Sequence, residues 1–153
     1  MCIRDRGNYQ HSLDDKNRIR LPSNFRTEMG NDYFLMPGSN GCIFVYKADE
    51  TQKLLSSLMD LDTLNPQQSL LLTQLTAYSR SVTADSQGRF MLPDDLIKMM
   101  GINKDVRIVG AITKAEIWSE ERWQEKFGTG IGAMNAATVD EIYKQLDASL
   151  KAK

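Results

Sequence analysis

The chain has 153 residues, with 19 Lys plus Arg against 20 Asp plus Glu, and suits one domain or two small halves sharing a core. A net charge of −1 with 41% hydrophobic residues excludes a polybasic nucleic-acid coat and an acidic disordered tail, and leaves room for a local basic patch. One His and two Cys, Cys2 and Cys42, exclude a disulfide framework, a zinc knuckle and any triad that needs a second His, so neither catalysis nor a cofactor is expected. No apolar run approaches the roughly 18 residues of a membrane span, and the opening MCIRDR lacks the apolar stretch of a secretory signal. A reduced cytoplasmic setting is therefore expected.

In chain order, a short strand is expected at 9–13, running into the polar turn Asp14-Asp15-Lys16-Asn17. Asp at the first turn position can accept from backbone N–H groups ahead of it, and Asn at the fourth tolerates the left-handed conformation that closes such hairpins. A strand ending in Leu21-Pro22 follows. Pro22 then opens a short helix as its first-turn residue, and Gly30 stops it. Strands are expected at 33–36 and 42–46, with Asn40-Gly41 as the turn between them. Asp49 reads as a helix cap, with Gln52 at capping-box spacing. That helix carries Leu54, Leu55, Leu58 and Met59, and Asn65-Pro66 starts another with Leu70, Leu71, Leu72, Leu75 and Tyr78.

The sequence then repeats itself: LDDKNRIRLPSNFRTEMG, from Leu13 to Gly30, lies over ADSQGRFMLPDDLIKMMG, from Ala84 to Gly101. From Asp14 to Gly30 there are six identities in 17 positions (Asp14/Asp85, Arg18/Arg89, Leu21/Leu92, Pro22/Pro93, Met29/Met100 and Gly30/Gly101), where chance gives about one. The second copy predicts a strand at 81–84, the turn Asp85-Ser86-Gln87-Gly88, a helix after Pro93 stopped by Gly101, and strands at 106–111 and 115–118. Ser119 caps a helix through Trp123 and Phe127. Residues 128–132 read as a flexible linker, and an amphipathic helix at 138–150 closes the chain. The leucine and methionine stripes, Met91, Met99 and Met100 among them, belong to the core or to contacts between subunits.

Two copies of D-x-x-G/N-R-x-x-x-P, one starting at Asp14 and the other at Asp85, resemble the MraZ family, as do Leu64-Asn65-Pro66 and AEIWSEERW. The resemblance runs from residue 7 to about 127. Asn17 stands where that family usually has Gly, and the turn is expected to survive the change. The resemblance implies an AbrB-like, swapped-hairpin fold: α+β, a tandem β-barrel with flanking helices in which one chain supplies both halves of a pseudo-twofold unit. The expected divisions are 7–78, 79–127 and 128–153. The resemblance further implies a bacterial repressor that binds double-stranded DNA at direct repeats upstream of the division and cell wall gene cluster. Such a protein forms a homo-oligomeric ring and is cytoplasmic and nucleoid-associated, with no membrane and no small-molecule substrate. The rival reading is a ring-forming scaffold whose DNA face has decayed.

Strand geometry puts Arg18 and Arg20 on one face and Ile19 and Leu21 on the other. The window from Gly7 to Arg26 carries a net +2, and the matching window from Tyr78 to Ile97 carries −1. The expected DNA-binding residues are therefore Arg18, Arg20, Lys16, Asp14 and Asn17, with Asp85, Gly88 and Arg89 as a weaker second motif. Arg can fork onto guanine O6 and N7 or clamp a phosphate, Lys16 suits phosphate, and Asp14 orients Arg18. His11 reads as a half-exposed structural residue, Cys42 as a buried thiol, and Asp94-Asp95 as first-turn helix residues rather than catalytic carboxylates.

Overall fold

The computed structural model describes residues 7–61, 65–111, 114–128 and 135–151, and the chain divides into two compact units, Met1–Glu120 and Glu121–Lys153. Leu64, most of the expected 128–132 linker and the opening MCIRDR lie outside the described residues.

The first unit is α+β. The first copy forms β1 (Gly7–Ser12), β2 (Arg18–Arg20), α1 (Ser23–Met29), β3 (Asp32–Pro37) and β4 (Ile43–Lys47). Two longer helices follow, α2 (Ala48–Leu61) and α3 (Pro66–Ala77). The second copy forms β5 (Arg80–Thr83), β6 (Arg89–Met91), α4 (Asp94–Met99), β7 (Asp105–Ala111) and β8 (Lys114–Ser119). A six-stranded antiparallel sheet runs in the order β1-β7-β8-β4-β3-β5, and β2 and β6 pair as a separate antiparallel ribbon.

Neither copy pairs with itself where its first two strands are concerned. β1 lies on β7 of the second copy, β5 lies on β3 of the first, and β2 lies on β6. The exchange is matched to the side chain. Ser12 donates to Asp105 Oδ1 at 2.8 Å, and Thr83 donates to Asp32 Oδ1 at 2.9 Å, each across the exchanged pair. Asp32 and Asp105 are equivalent, although the stretch from Gly101 to Asp105 is longer than that from Gly30 to Asp32.

The core fills the space that the exchange encloses. Ile19 and Phe90, facing each other at the centre of the ribbon, are 3% and 2% exposed. Leu21, Leu92, Phe25 and Leu96 join them in the core, and Val106, Ile108, Leu35 and Val45 complete the cluster from the sheet. Phe25 meets Tyr9 edge-on at 5.5 Å, and Tyr33 meets Phe90 at 5.1 Å, so aromatic contacts also run between elements far apart in sequence.

Local chemistry sets the element ends, with two corrections to the expected starts. Pro22 and Pro93 cap α1 and α4 rather than open their first turns, because their ψ angles of 148° and 140° are still extended. Asp49 does not cap α2: β4 runs straight into the helix at Ala48, leaving Asp49 and Glu50 in the first turn, where they favour the helix dipole. Asn65 does cap α3, its side chain accepting from the N–H groups of Gln67 and Gln68. Cys42 is buried, and its Sγ donates to the Ser39 carbonyl.

The second unit holds the end of α5 (Glu120–Trp123), a π-helical turn (Gln124–Gly128) and α6 (Ala136–Lys151). Trp123 and Phe127 meet at 4.6 Å with their rings tilted, and α6 exposes Val139, Ile142, Leu146 and Leu150.

Candidate nucleic-acid interface

The turns from β1 to β2 and from β5 to β6 join strands that pair elsewhere rather than closing the expected hairpins, and each is built around one carboxylate. Asp14 Oδ1 accepts from the backbone N–H of Lys16 at 2.9 Å and of Arg18 at 2.8 Å, while Oδ2 accepts from Arg18 Nε at 2.7 Å. Asp85 repeats the pattern with the N–H groups of Gln87 and Arg89 at 2.8 and 2.9 Å, and with Arg89 Nε at 3.1 Å. The backbone N–H of Arg18 and that of Arg89 are the first causes that hold the two carboxyls below their ordinary value of 3.8. Hydrogen bonds to the charged form favour it. Asn17 and Gly88 take the left-handed backbone that closes the turns, with φ of 57° and 78°.

This arrangement leaves each turn arginine half free. Nε is fixed to the aspartate, and among the described residues both Nη groups of Arg18 and Arg89 have no hydrogen-bond partner. A guanidinium held at one edge presents its fork outward in a fixed plane, which lowers the entropy cost of recognising a planar acceptor pair.

The ribbon then gathers the arginines. Its register sets Arg18 opposite Met91, Ile19 opposite Phe90 and Arg20 opposite Arg89. With Ile19 and Phe90 buried, the pleat directs Arg18, Arg20, Arg89 and Met91 to the outer face. Arg18 and Arg89 are partly exposed, Arg20 is exposed, and Met91 is 56% exposed. Charge counting assigns the basic footprint to the first copy alone, whereas strand exchange brings Arg89 beside Arg20.

Sequence reasoning missed how the second turn supports the first copy's cations. Arg20 Nη1 approaches the Gln87 carbonyl at 3.4 Å. Arg26 Nε donates to the Leu21 carbonyl, and its side chain crosses over Gly88, where an added Cβ would lie 2.8 Å from Arg26 Nη1 and 3.4 Å from Arg20 Cδ. A side chain there would push the Arg26 guanidinium aside, while Arg20 would stay in ordinary contact. No signal within the first copy could reveal this, because Arg26 belongs to one copy and Gly88 to the other. Lys16 is exposed on the first turn. His11 is partly buried at the end of β1, and burial, then the Arg20 charge, push its imidazole below the ordinary 6.5.

Other candidates carry structural roles. Asp95 accepts from Arg80 Nη2 at 2.8 Å and from the N–H of Leu96. Among the described residues no group of three or more His, Cys, Asp or Glu could hold a metal ion, and no helix is long and apolar enough to cross a membrane. Met100 is buried at 4%, whereas Met99 is 42% exposed.

A family model described as "MraZ protein, putative antitoxin-like" matches residues 6–74 and 76–141. The chain belongs to the MraZ family. Both turns and the whole ribbon fall within the matched segments. A protein of Clostridium acetobutylicum named transcriptional regulator MraZ is 39% identical over 119 residues, covering 78% of this chain and 84% of its own. Its namesake in Clostridium tetani is 36% identical over the same coverage. A third, from Caldicellulosiruptor saccharolyticus, is 33% identical over 141 residues, 92% of this chain and 95% of its own. The family is one of transcriptional regulators, not enzymes.

Proposed function

We propose that this MraZ-family chain is a sequence-specific DNA-binding repressor, and that the outer face of the β2–β6 ribbon is its DNA contact. The observation that carries the reading is the ribbon itself: three guanidinium groups stand on its outer face, with the apolar partners of the same strands buried, and Lys16 is exposed on the adjoining turn. A two-stranded ribbon fits the major groove of B-DNA, where Arg can fork onto guanine O6 and N7. Lys16 takes phosphate. Asp14 and Asp85 aim Arg18 and Arg89, and Asn17 and Gly88 close the turns that place them.

In this reading the exchanged strands are the swapped hairpins of an AbrB-like fold, with 7–78 and 79–127 as its two halves. The targets are direct repeats upstream of the division and cell wall gene cluster, and the protein is a nucleoid-associated ring. A single patch of a few phosphate contacts binds non-specifically only at about 10⁻⁴ to 10⁻⁶ M. Several copies in a ring, set against repeated sites, raise this by avidity. The exposed Leu70 and Leu71 of α3, 64% and 59% accessible, favour assembly in this reading and in the rival scaffold reading alike.

The experiment is a fluorescence anisotropy titration against duplexes from upstream of that gene cluster, intact or with the repeats scrambled, at several salt concentrations. The DNA reading expects a preference for intact repeats and a negative log–log salt slope. Arg18→Ala is expected to abolish the preference with assembly intact. A chain that assembles but shows no repeat preference is the scaffold.

A further inference from the structure

The ribbon has a local two-fold axis between Ile19 and Phe90, and the side chains on its outer face break that symmetry. Rotation about the axis carries Arg18 onto Arg89, and both are held alike by an aspartate at the first turn position. The same rotation carries Arg20 onto Met91 and, through the alignment of the two copies, Arg26 onto Ile97. Arg20 and Arg26 reach over Gly88 at one end of the ribbon, close to Arg89. At the other end Met91 is 56% exposed opposite Arg18, and Ile97 packs down against the core. One end thus offers three cations, and the other offers Arg18, Lys16 and an exposed thioether.

We propose that Arg20 and Met91 give the protein a reading direction along DNA, so that its site is not self-complementary. This rests on the ribbon being the DNA contact. A two-fold symmetric face recognises both strands equally and selects a palindrome. With Arg20 at one end and Met91 at the other, the equivalent base pairs meet different chemistry: a forked donor that suits guanine, and an apolar surface that suits a thymine methyl group. A face with direction docks in one orientation only, which is the property that repeats in the same orientation exploit. Met91 is thereby a specificity-determining residue, and the second copy is a modified partner rather than a decayed duplicate.

The test selects bound sequences from a random duplex pool with the full-length protein, Met91→Arg and Arg20→Met. Circular dichroism melting of each variant checks the fold, which these exposed positions leave intact. The parent is expected to select a motif that differs from its own reverse complement. Met91→Arg is expected to select a motif whose halves mirror each other, with G·C at both ends, and to gain about tenfold for a duplex that carries the mirrored site. Arg20→Met is expected to mirror the other half and lose the guanine. A parental motif that is already self-complementary overturns the inference and leaves DNA recognition standing. So does the same directional motif in the parent and both variants. No motif from the parent at all overturns the DNA reading and the inference with it.

Discussion

Asp14 and Asp85 each neutralise a turn and aim an arginine, and their titration makes the fold sensitive to acid. Both carboxyls sit below 3.8 in the folded chain, so the unfolded chain binds their protons first as pH falls. The stability that they lend is complete above about pH 4 and is lost as pH drops through their folded values. His11 acts in the same direction at higher pH. Its folded value lies below 6.5, so the folded state is penalised below that pH and relieved as pH rises through the window. Thermal melting from pH 3 to 8 is expected to show both limbs. His11→Gln should flatten the change between pH 5 and 7, and Asp14→Asn with Asp85→Asn the change below pH 4. The turn residues were legible because the chemistry is local: an aspartate, its two following N–H groups and a left-handed closing residue lie within one turn and its exit. The half-free state of Arg18 and Arg89 was not legible, since it depends on which edge of each guanidinium the carboxylate takes.

At the scale of elements, single residues end the helices and join them to the core. Gly30 has φ 72° and ψ −149°, a region open essentially only to glycine, although an added Cβ there meets nothing within 4 Å. Gly30→Ala is therefore expected to cost about 2 kcal/mol through backbone strain alone, measured by denaturant unfolding. Phe25 is fully buried against Tyr9, and Phe25→Ala is expected to cost about 3 to 5 kcal/mol through the cavity it leaves. Existence and type of these elements were readable from Pro, Gly and apolar spacing. The starts of α1, α2 and α4 were not, because a proline or a strand end that remains extended looks the same in sequence as one that has begun to turn. The Asp32–Thr83 and Ser12–Asp105 pairs stayed hidden because the alignment of the two copies slips after the short helix, which masks the match of Asp32 with Asp105.

For the first unit as a whole, strand exchange leaves each copy only one hairpin of its own, β3–β4 or β7–β8. β1 needs β7, β5 needs β3, and each half of the ribbon needs the other. Both copies are therefore expected to unfold together. In a Trp123→Phe background, buried Trp118 reports on the second copy by fluorescence, while far-ultraviolet circular dichroism follows all elements. Coincident denaturant midpoints are expected, and separate transitions would show two independent halves. Period-two alternation told which side chains of RIRLP point inward, but not which strand lies alongside, so the meeting of Arg20 with Arg89 could not be read from the sequence.

Methylation interference distinguishes base reading by the outward arginines of the β2–β6 ribbon from every other mode of DNA contact. Duplex methylated at guanine N7 and adenine N3 is partitioned into bound and free fractions with the parent protein and with Arg18→Ala plus Arg20→Ala. N7-methylated guanines within each repeat are expected to be excluded from the parent's bound fraction, and the exclusion to disappear in the double variant. Interference confined to adenine N3, in the minor groove, or guanine exclusion that persists without the two arginines, would show that the ribbon arginines do not read the bases.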